Sequence, residues 1–232
     1  MAERLYFMPR LSGVPVYQEK SVEFEYYNGF AVSQKQKSIR SMHDRIKSNH
    51  PDFSILEIST KSTDPTGYAL SAFNLRYRDG EGNAYPLENI FQSSKVFANG
   101  GPYRDLLSMH PKDAKRDERL QKSGRLECFE YASRIWPLEP KSIFYDWIYI
   151  SALLQNPELS QKILKYHAFT DIEFNHKKSI NCQARAAAIF VALCLRNELG
   201  IVDTDDFKDA YGSETSIQLS LPDILPIFAL EQ

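Results

Sequence analysis

Cysteine and histidine are both scarce in this chain of 232 residues, and their scarcity limits its chemistry. The three cysteines, Cys128, Cys182 and Cys194, are too few and too scattered for a disulfide framework or a zinc site. None of the five histidines stands at a metal-ligand spacing from a cysteine or a carboxylate. We therefore expect buried thiols in a reducing compartment, and no metal or cofactor.

Long apolar runs and a large excess of one charge are lacking as well. No run approaches the roughly 20 apolar residues that span a bilayer, and no apolar stretch with a cleavage site marks the N-terminus. The formal net charge of −2 gives no general attraction to nucleic acid, so any DNA contact must come from local basic clusters. The sequence thus predicts a cytoplasmic protein without membrane contact.

The chain does contain ample material for a core, since 43% of its residues are hydrophobic and 25% are charged. We expect a single α+β domain, predominantly helical with a few short strands, over residues 1–200. The acidic residues Asp203, Asp205 and Asp206 and two later prolines suggest that residues 201–232 are a C-terminal appendage.

Hydrophobic periodicity and turn residues predict the individual elements. Strands are expected over residues 5–8, 22–26, 53–58 and 68–77. Helices are expected over residues 37–49, 111–120, 142–154 and 157–166. A last long helix, capped by Ser179 or Asn181, should run to Leu199 and end at Gly200.

The segment from Tyr85 to Phe97 carries the strongest functional signal. Pro86 can open a helix that continues to the breakers of residues 99–102, and Glu88, Gln92 and Lys95 then share one face. A carboxylate, an amide and an ammonium in a row, beside Phe91, suit a site that holds a polar ligand. The alternative is a solvated face with an exposed Glu–Lys pair.

A series of segments resembles the NADAR (YbiA-like) family, whose members act on N-glycosidic bonds of nucleotide-like compounds. The series comprises Tyr85-Pro86-Leu87-Glu88 with Phe91, Gln92 and Lys95, Leu70-Ser71-Ala72-Phe73-Asn74, Trp136, the stretch 154–159, and 171–174. The resemblance implies a NADAR-like domain with Glu88 as a catalytic residue. Residues 175–181 depart from the family pattern, because they lack its Asp and Trp and carry two lysines instead.

With residues 33–39 and 178–185 included, the chain is similar to one branch, the antitoxins paired with DarT-type toxins that ADP-ribosylate guanine in DNA. This resemblance implies removal of ADP-ribose from guanine. The implied partners are ADP-ribosylated DNA or ADP-ribose, and the cognate toxin.

Glycosidic cleavage passes through an oxocarbenium-like state, which a carboxylate beside the sugar stabilises, and Glu88 is our candidate. A covalent route is the alternative, in which a lysine forms a Schiff base with the ring-opened sugar. The candidates for that amine are, in order, Lys178, Lys177 and Lys95.

Further residues are expected to bind the substrate. Lys35, Lys37 and Arg40, with Ser33, form a basic cluster that can hold phosphates, unless it is only a solvated face. Ser179 and Asn181 offer a second anion position, and Gly101 could allow close backbone approach or merely stop a helix. Phe73 and Trp136 could stack on a base, although either could be core. Ser71, Asn74 and Gln92 complete the expected set.

Another basic cluster, between Lys112 and Arg125, is interleaved with acids, and we expect surface ion pairs there without a role in function. Two other functions stay open. The chain could be an N-glycosidase of small riboflavin-pathway metabolites, or a non-enzymatic module that binds ADP-ribose or the toxin.

Overall fold

The computed structural model describes residues 1–177 and 179–211, and strands occur in this part of the chain from Ala2 to Thr170. In chain order they are β1 (Ala2–Pro9), β2 (Tyr17–Phe24), β3 (Ile55–Glu57), β4 (Arg76–Arg78), β5 (Ala84–Pro86), β6 (Lys95–Phe97), β7 (Leu126–Tyr131), β8 (Arg134–Trp136) and β9 (Ala168–Thr170). They form a four-stranded sheet in the order β2-β1-β9-β3, the pair β4-β5, and a three-stranded sheet β6-β7-β8. The mixture of helix and strand in one domain is confirmed, whereas its predominantly helical character is wrong.

Helices lie in most of the intervals between these strands and after the last strand. They are α1 (Val32–Asn49), α2 (Pro65–Ala69), α3 (Leu87–Ser93), α4 (Pro111–Arg116), α5 (Arg119–Lys122), α6 (Ile143–Leu154), α7 (Pro157–Ile163) and α8 (Gln183–Leu195). Short 3₁₀ segments cover Arg104–Ser108, Leu199–Ile201 and Asp205–Tyr211. The predicted helices over residues 37–49, 142–154 and 157–166 are confirmed to within a few residues. The one predicted over 111–120 is divided between α4 and α5.

Apolar residues pack on both faces of the four-stranded sheet, although most of its edge strand β2 is exposed. Because side chains alternate along a strand, Tyr6 of β1 joins a small apolar cluster under α1, while Phe7 joins the main core. The predicted apolar stripe of α1, which comprises Ile39, Met42 and Ile46, is buried in the small cluster. In the main core, α6 and α8 pack together, and their apolar residues are buried on nearly every side, as a central helix requires.

Two predicted elements around the site have a different form. The strand expected over residues 68–77 is wrong, because Asp64 caps α2 by accepting a hydrogen bond from the Thr66 amide (2.7 Å), with Pro65 in the first turn. Only Arg76–Arg78 is extended there. The helix expected over residues 86–98 ends at Ser93, where the Ser93 and Ser94 hydroxyls both donate to the Ile90 carbonyl. The chain then continues as β6.

The C-terminal part of the described chain packs on the same core. Val202, Phe207 and Ala210 are buried, and the Tyr211 hydroxyl donates to the Asp146 carboxylate (2.6 Å). That carboxylate also pairs with Arg185 of α8 at 3.1 Å. A boundary at residue 200 stays a prediction, and most of the proposed appendage lies outside the described residues.

The last helix also differs from expectation. It begins at Gln183 after an extended Cys182 and ends at Leu195, so Ser179 and Asn181 do not cap it and Gly200 does not end it. The residues before Gln183 are instead free to form part of a cavity wall.

Candidate active site

A cavity of about 780 Å³ opens beside the parallel pair β3 and β9. Its floor comes from residues that follow these two strands, namely Ser59 to Lys61, Asp171, Glu173 and Phe174. Helices α3 and α4, the start of α6 and the segment before α8 form its walls. The volume lies in the range of small-molecule sites, and the carboxyl ends of parallel strands are a common place for one.

Three of the predicted residues form one hydrogen-bonded chain in the cavity wall. The Gln92 side-chain amide donates through Nε2 to Glu88 Oε1 at 2.8 Å, one helical turn away on α3. The other amide atom of Gln92, Oε1, accepts a hydrogen bond from Lys95 Nζ at 2.7 Å. The side chains of Glu88, Gln92 and Lys95 therefore lie next to one another as expected from the sequence, but Lys95 belongs to β6 and not to the helix.

The Lys95 ammonium lies in a poorly solvated position. Its Nζ is 4.8 Å from the centre of the Phe91 ring. Burial is the largest cause that lowers the pKa of Lys95 to about 8; the Glu88 carboxylate acts against it, and the nearby Lys115 charge acts with it. About a tenth of Lys95 is thus free amine at pH 7, the form that a nucleophile requires.

Cations of α4 stand at the same cavity, where the sequence suggested no role for them. Lys115 Nζ is 3.5 Å from Glu88 Oε1 and 5.5 Å from the centre of the Phe73 ring. Lys112 and Arg116 line the cavity beside it. Their spacing i, i+3, i+4 puts the three side chains on one helix face, and this spacing could have identified them in the sequence. The expected surface pairs occur elsewhere in the cluster, for example Lys122 with Glu118.

A pair of buried carboxyl groups, Glu57 and Asp171, was missed entirely. Glu57 ends β3 and accepts hydrogen bonds from the Thr170 hydroxyl (2.6 Å) and the Ile172 amide (2.9 Å). Asp171 lines the cavity and accepts from Gln183 Nε2 at 2.9 Å. Burial raises the pKa of both, and Glu57 contributes to raising that of Asp171 to about 7.

The segment before α8 and the loop after α2 supply more of the expected set. Ser179, Asn181, Ser71 and Phe73 all line the cavity. Gln183 joins the two walls, because its Oε1 accepts from the Ala72 amide while its Nε2 donates to the Ile58 carbonyl at 3.1 Å. The aromatic surface comes from Phe73 and Phe91, and from Tyr145.

Several predicted residues lie away from the cavity for identifiable reasons. Trp136 is 1% exposed and packs against Trp147 in the core, so it does not stack on a ligand. Asn74 donates to the Tyr68 carbonyl and stabilises its own loop. Gly101 has φ of +88°, and a Cβ there would lie 2.3 Å from the Lys95 carbonyl oxygen. The close backbone approach at Gly101 is therefore to β6 and not to a ligand.

The basic cluster predicted to bind phosphates lies on α1, and it is outside the cavity lining as well. Ser33, Lys37 and Arg40 are exposed. Lys35 donates to the Tyr26 hydroxyl (2.6 Å) and lies 3.5 Å from Glu173, which lines the cavity. Lys35 thus stands beside the rim.

Of the three lysines considered for a covalent role, Lys95 is in the cavity wall. Lys177 is not among the lining residues, and Lys178 lies outside the described residues. In the part of the chain that the structure describes, no group of three His, Cys, Asp or Glu side chains is placed to hold a metal ion. No helix in that part is long and apolar enough to cross a membrane.

Comparison with known proteins identifies one family. The family model described as the DarT1-associated NADAR antitoxin matches residues 2–219 of the chain. No curated protein shows significant sequence similarity to it.

Proposed function

The chain belongs to the DarT1-associated NADAR antitoxin family, and from this premise we propose that it is a hydrolase that removes ADP-ribose from guanine bases in DNA. It cleaves the N-glycosidic bond between ribose and base in the cytoplasm. It thereby reverses the modification made by its cognate toxin, which is how it acts as an antitoxin.

The single observation that carries this proposal is the placement of Glu88. The side chain is buried to 5% exposure, lines a cavity large enough for a nucleotide, and is fixed by Gln92. A carboxylate held in a desolvated wall is suited to stabilise the positive charge that develops on the sugar as the bond breaks. Because its geometry is preset, little reorganisation is needed during the reaction.

A covalent route through Lys95 remains compatible with the same site. The amine would attack the anomeric carbon of the ring-opened sugar, and the bond from that carbon to the guanine nitrogen would break as the nitrogen takes a proton. Water would then hydrolyse the resulting lysine Schiff base to free ADP-ribose and the Lys95 amine. Lys95 is the described lysine best placed for this, since it lines the cavity and burial lowers its pKa to about 8.

The diphosphate of the ADP-ribose requires cationic partners, and the α4 face supplies them. Lys112, Lys115 and Arg116 converge on the cavity from one side. We assign the phosphate contacts to this face rather than to the exposed side chains of α1. Phe73 and Tyr145 are the aromatic surfaces available to a base.

The test is release of ADP-ribose from a defined oligonucleotide that carries it on one guanine, with a thymine-linked oligonucleotide as the specificity control. Wild type should release ADP-ribose from the guanine oligonucleotide, and Glu88→Gln should lose at least about 100-fold in kcat. Glu158→Gln, an exposed carboxyl on α7, serves as the matched control and should retain full activity.

Other results would redirect the proposal. Tight binding of ADP-ribose by a protein that releases none would indicate a binding module. Release from riboflavin-pathway intermediates but not from DNA would indicate a small-metabolite N-glycosidase.

A further inference from the structure

Two acids that the sequence did not single out lie where the parallel strands end. Glu57 is the last residue of β3 and pairs in register with Thr170 of β9, so Asp171 follows directly beside it. Both side chains are buried, yet Asp171 also lines the cavity. The cavity is therefore bordered by a second buried carboxyl group besides Glu88, on its floor rather than on α3.

The position of Asp171 is fixed from several directions. Its Oδ2 accepts from Gln183 Nε2 at 2.9 Å, and its Oδ1 accepts from the Glu173 amide at 3.0 Å. Glu57 holds the same loop by accepting from the Ile172 amide. A side chain held in this way presents its carboxyl to the cavity in one orientation.

The contrast with another buried acid shows that Asp171 is not part of a structural ion pair. Asp146 is equally buried, but Arg185 lies 3.1 Å away and compensates its charge. Among the described residues, Asp171 has no cationic group within 4 Å. Without a compensating cation, a buried carboxyl group favours its protonated form.

We propose that Asp171 is the general acid that protonates the departing guanine. The inference rests on the proposed function and assigns the second proton-handling residue of that reaction. Glu88, with an ammonium 3.5 Å away, faces the charge on the sugar, while Asp171 supplies the proton to the base.

The step balances without a further reactant. The Asp171 carboxyl gives its proton to the guanine nitrogen as the bond from that nitrogen to the anomeric carbon breaks, and the bonding electron pair stays on the nitrogen. Water adds to the anomeric carbon, and the proton it loses returns to the Asp171 carboxylate through solvent. The products are unmodified guanine in DNA and free ADP-ribose.

The electrostatic surroundings agree with a proton held near neutral pH. Burial and the neighbouring Glu57 raise the pKa of Asp171 to about 7, against the hydrogen bond from Gln183. The titratable groups that face it from its own loop and from the neighbouring elements are Glu57, Glu173, Tyr145, Tyr149 and Cys182. All of these are acids, so none of them supplies a stabilising positive charge.

The experiment compares the pH dependence of kcat/KM for wild type, Asp171→Asn and Glu57→Gln on the guanine-modified oligonucleotide. Wild type should lose activity above about pH 7 as Asp171 deprotonates. Asp171→Asn should lose on the order of 100-fold or more in kcat and should lack this high-pH limb, while its Kd for ADP-ribose stays within about threefold. Glu57→Gln should move the limb to lower pH, because it removes the charge that raises the pKa of Asp171.

The outcomes separate the inference from the proposed function. If Asp171→Asn keeps more than about a tenth of the wild-type kcat with the limb unchanged, the inference is wrong although the activity stands. If Asp171→Asn fails to fold, the Glu57→Gln profile decides, and an unmoved limb overturns the inference. A wild type that releases no ADP-ribose overturns the proposed function, and the role of Asp171 with it.

Discussion

The depressed pKa of Lys95 gives a prediction that needs no substrate. With a pKa of about 8 instead of 10.5, roughly a quarter of Lys95 is free amine at pH 7.5, against about one part in a thousand for an ordinary lysine. Because amine reagents attack only the free form, Lys95 should gain roughly 200-fold in its reactive fraction. Reagent access to the half-buried side chain reduces the rate but leaves the midpoint of its pH dependence near 8.

Two variants should move that midpoint in opposite directions. Glu88→Gln removes the carboxylate that raises the pKa of Lys95, so the midpoint should fall, and labelling at pH 7.5 can rise by at most about fourfold. Lys115→Met removes a charge that lowers the pKa, so the midpoint should rise and labelling at pH 7.5 should decrease. Opposite shifts would identify charge, and not a general loosening of the fold, as the cause.

The assay is trace acetylation across pH 6 to 11, with each lysine quantified by peptide mass spectrometry. Exposed lysines in the same sample, such as Lys20, supply the comparison curve. A Lys95 midpoint above about 10, or one that neither variant moves, would refute the reasoning about this wall of the cavity.

Three further predictions concern stability and phosphate binding. Because burial raises the pKa of Asp171 from 3.8 to about 7, this carboxyl group should make wild type lose stability as the pH rises through this interval, and Asp171→Asn should lack that contribution. In urea unfolding, the free energy of unfolding of Asp171→Asn relative to wild type should be higher at pH 8 than at pH 4 by up to about 4 kcal/mol. An equal difference at the two pH values would contradict the assignment. In the Glu88→Gln background, which we expect to be inactive, replacing Lys112 and Arg116 by Gln should weaken binding of the modified oligonucleotide. Titration at several salt concentrations should show the magnitude of the slope of log K against log salt fall by about 1 to 2. An unchanged slope would exclude phosphate contacts on α4. Gly101→Ala should lower the free energy of unfolding by about 1 to 3 kcal/mol, because its Cβ would meet the Lys95 carbonyl, and unchanged thermal unfolding would contradict that contact.

Local signals in the sequence predicted much of the cavity wall that α3 forms. The spacing of Glu88 and Gln92 on one turn is a property of any helix, so their contact could be expected from the sequence alone. Lys95 contacts Gln92 from a strand instead of the helix, because the helix ends at Ser93 and Ser94 and the chain continues as β6, which pairs with β7. The contact was anticipated, but not the element that makes it.

The carboxyl pair could not be found in this way. Glu57 and Asp171 are brought together by the parallel pairing of β3 with β9, across more than a hundred residues of chain. Such pairing depends on the whole fold. Glu57 stands in no pattern that marks it, and the family-like segment 171–174 suggested no role for the Asp171 carboxyl group. The same holds for Trp136, whose position resembled that of a family site residue although it packs in the core.

The central claim is that the protein protects cells by removing the modification, using Glu88. The most direct test is to co-express the toxin with wild type or Glu88→Gln, and to measure both survival and ADP-ribosylated guanine in genomic DNA. We predict that wild type restores survival and clears the modification, whereas Glu88→Gln, present at the same level, does neither. Survival with Glu88→Gln equal to that with wild type would contradict the account, because protection would then come from binding rather than from hydrolysis.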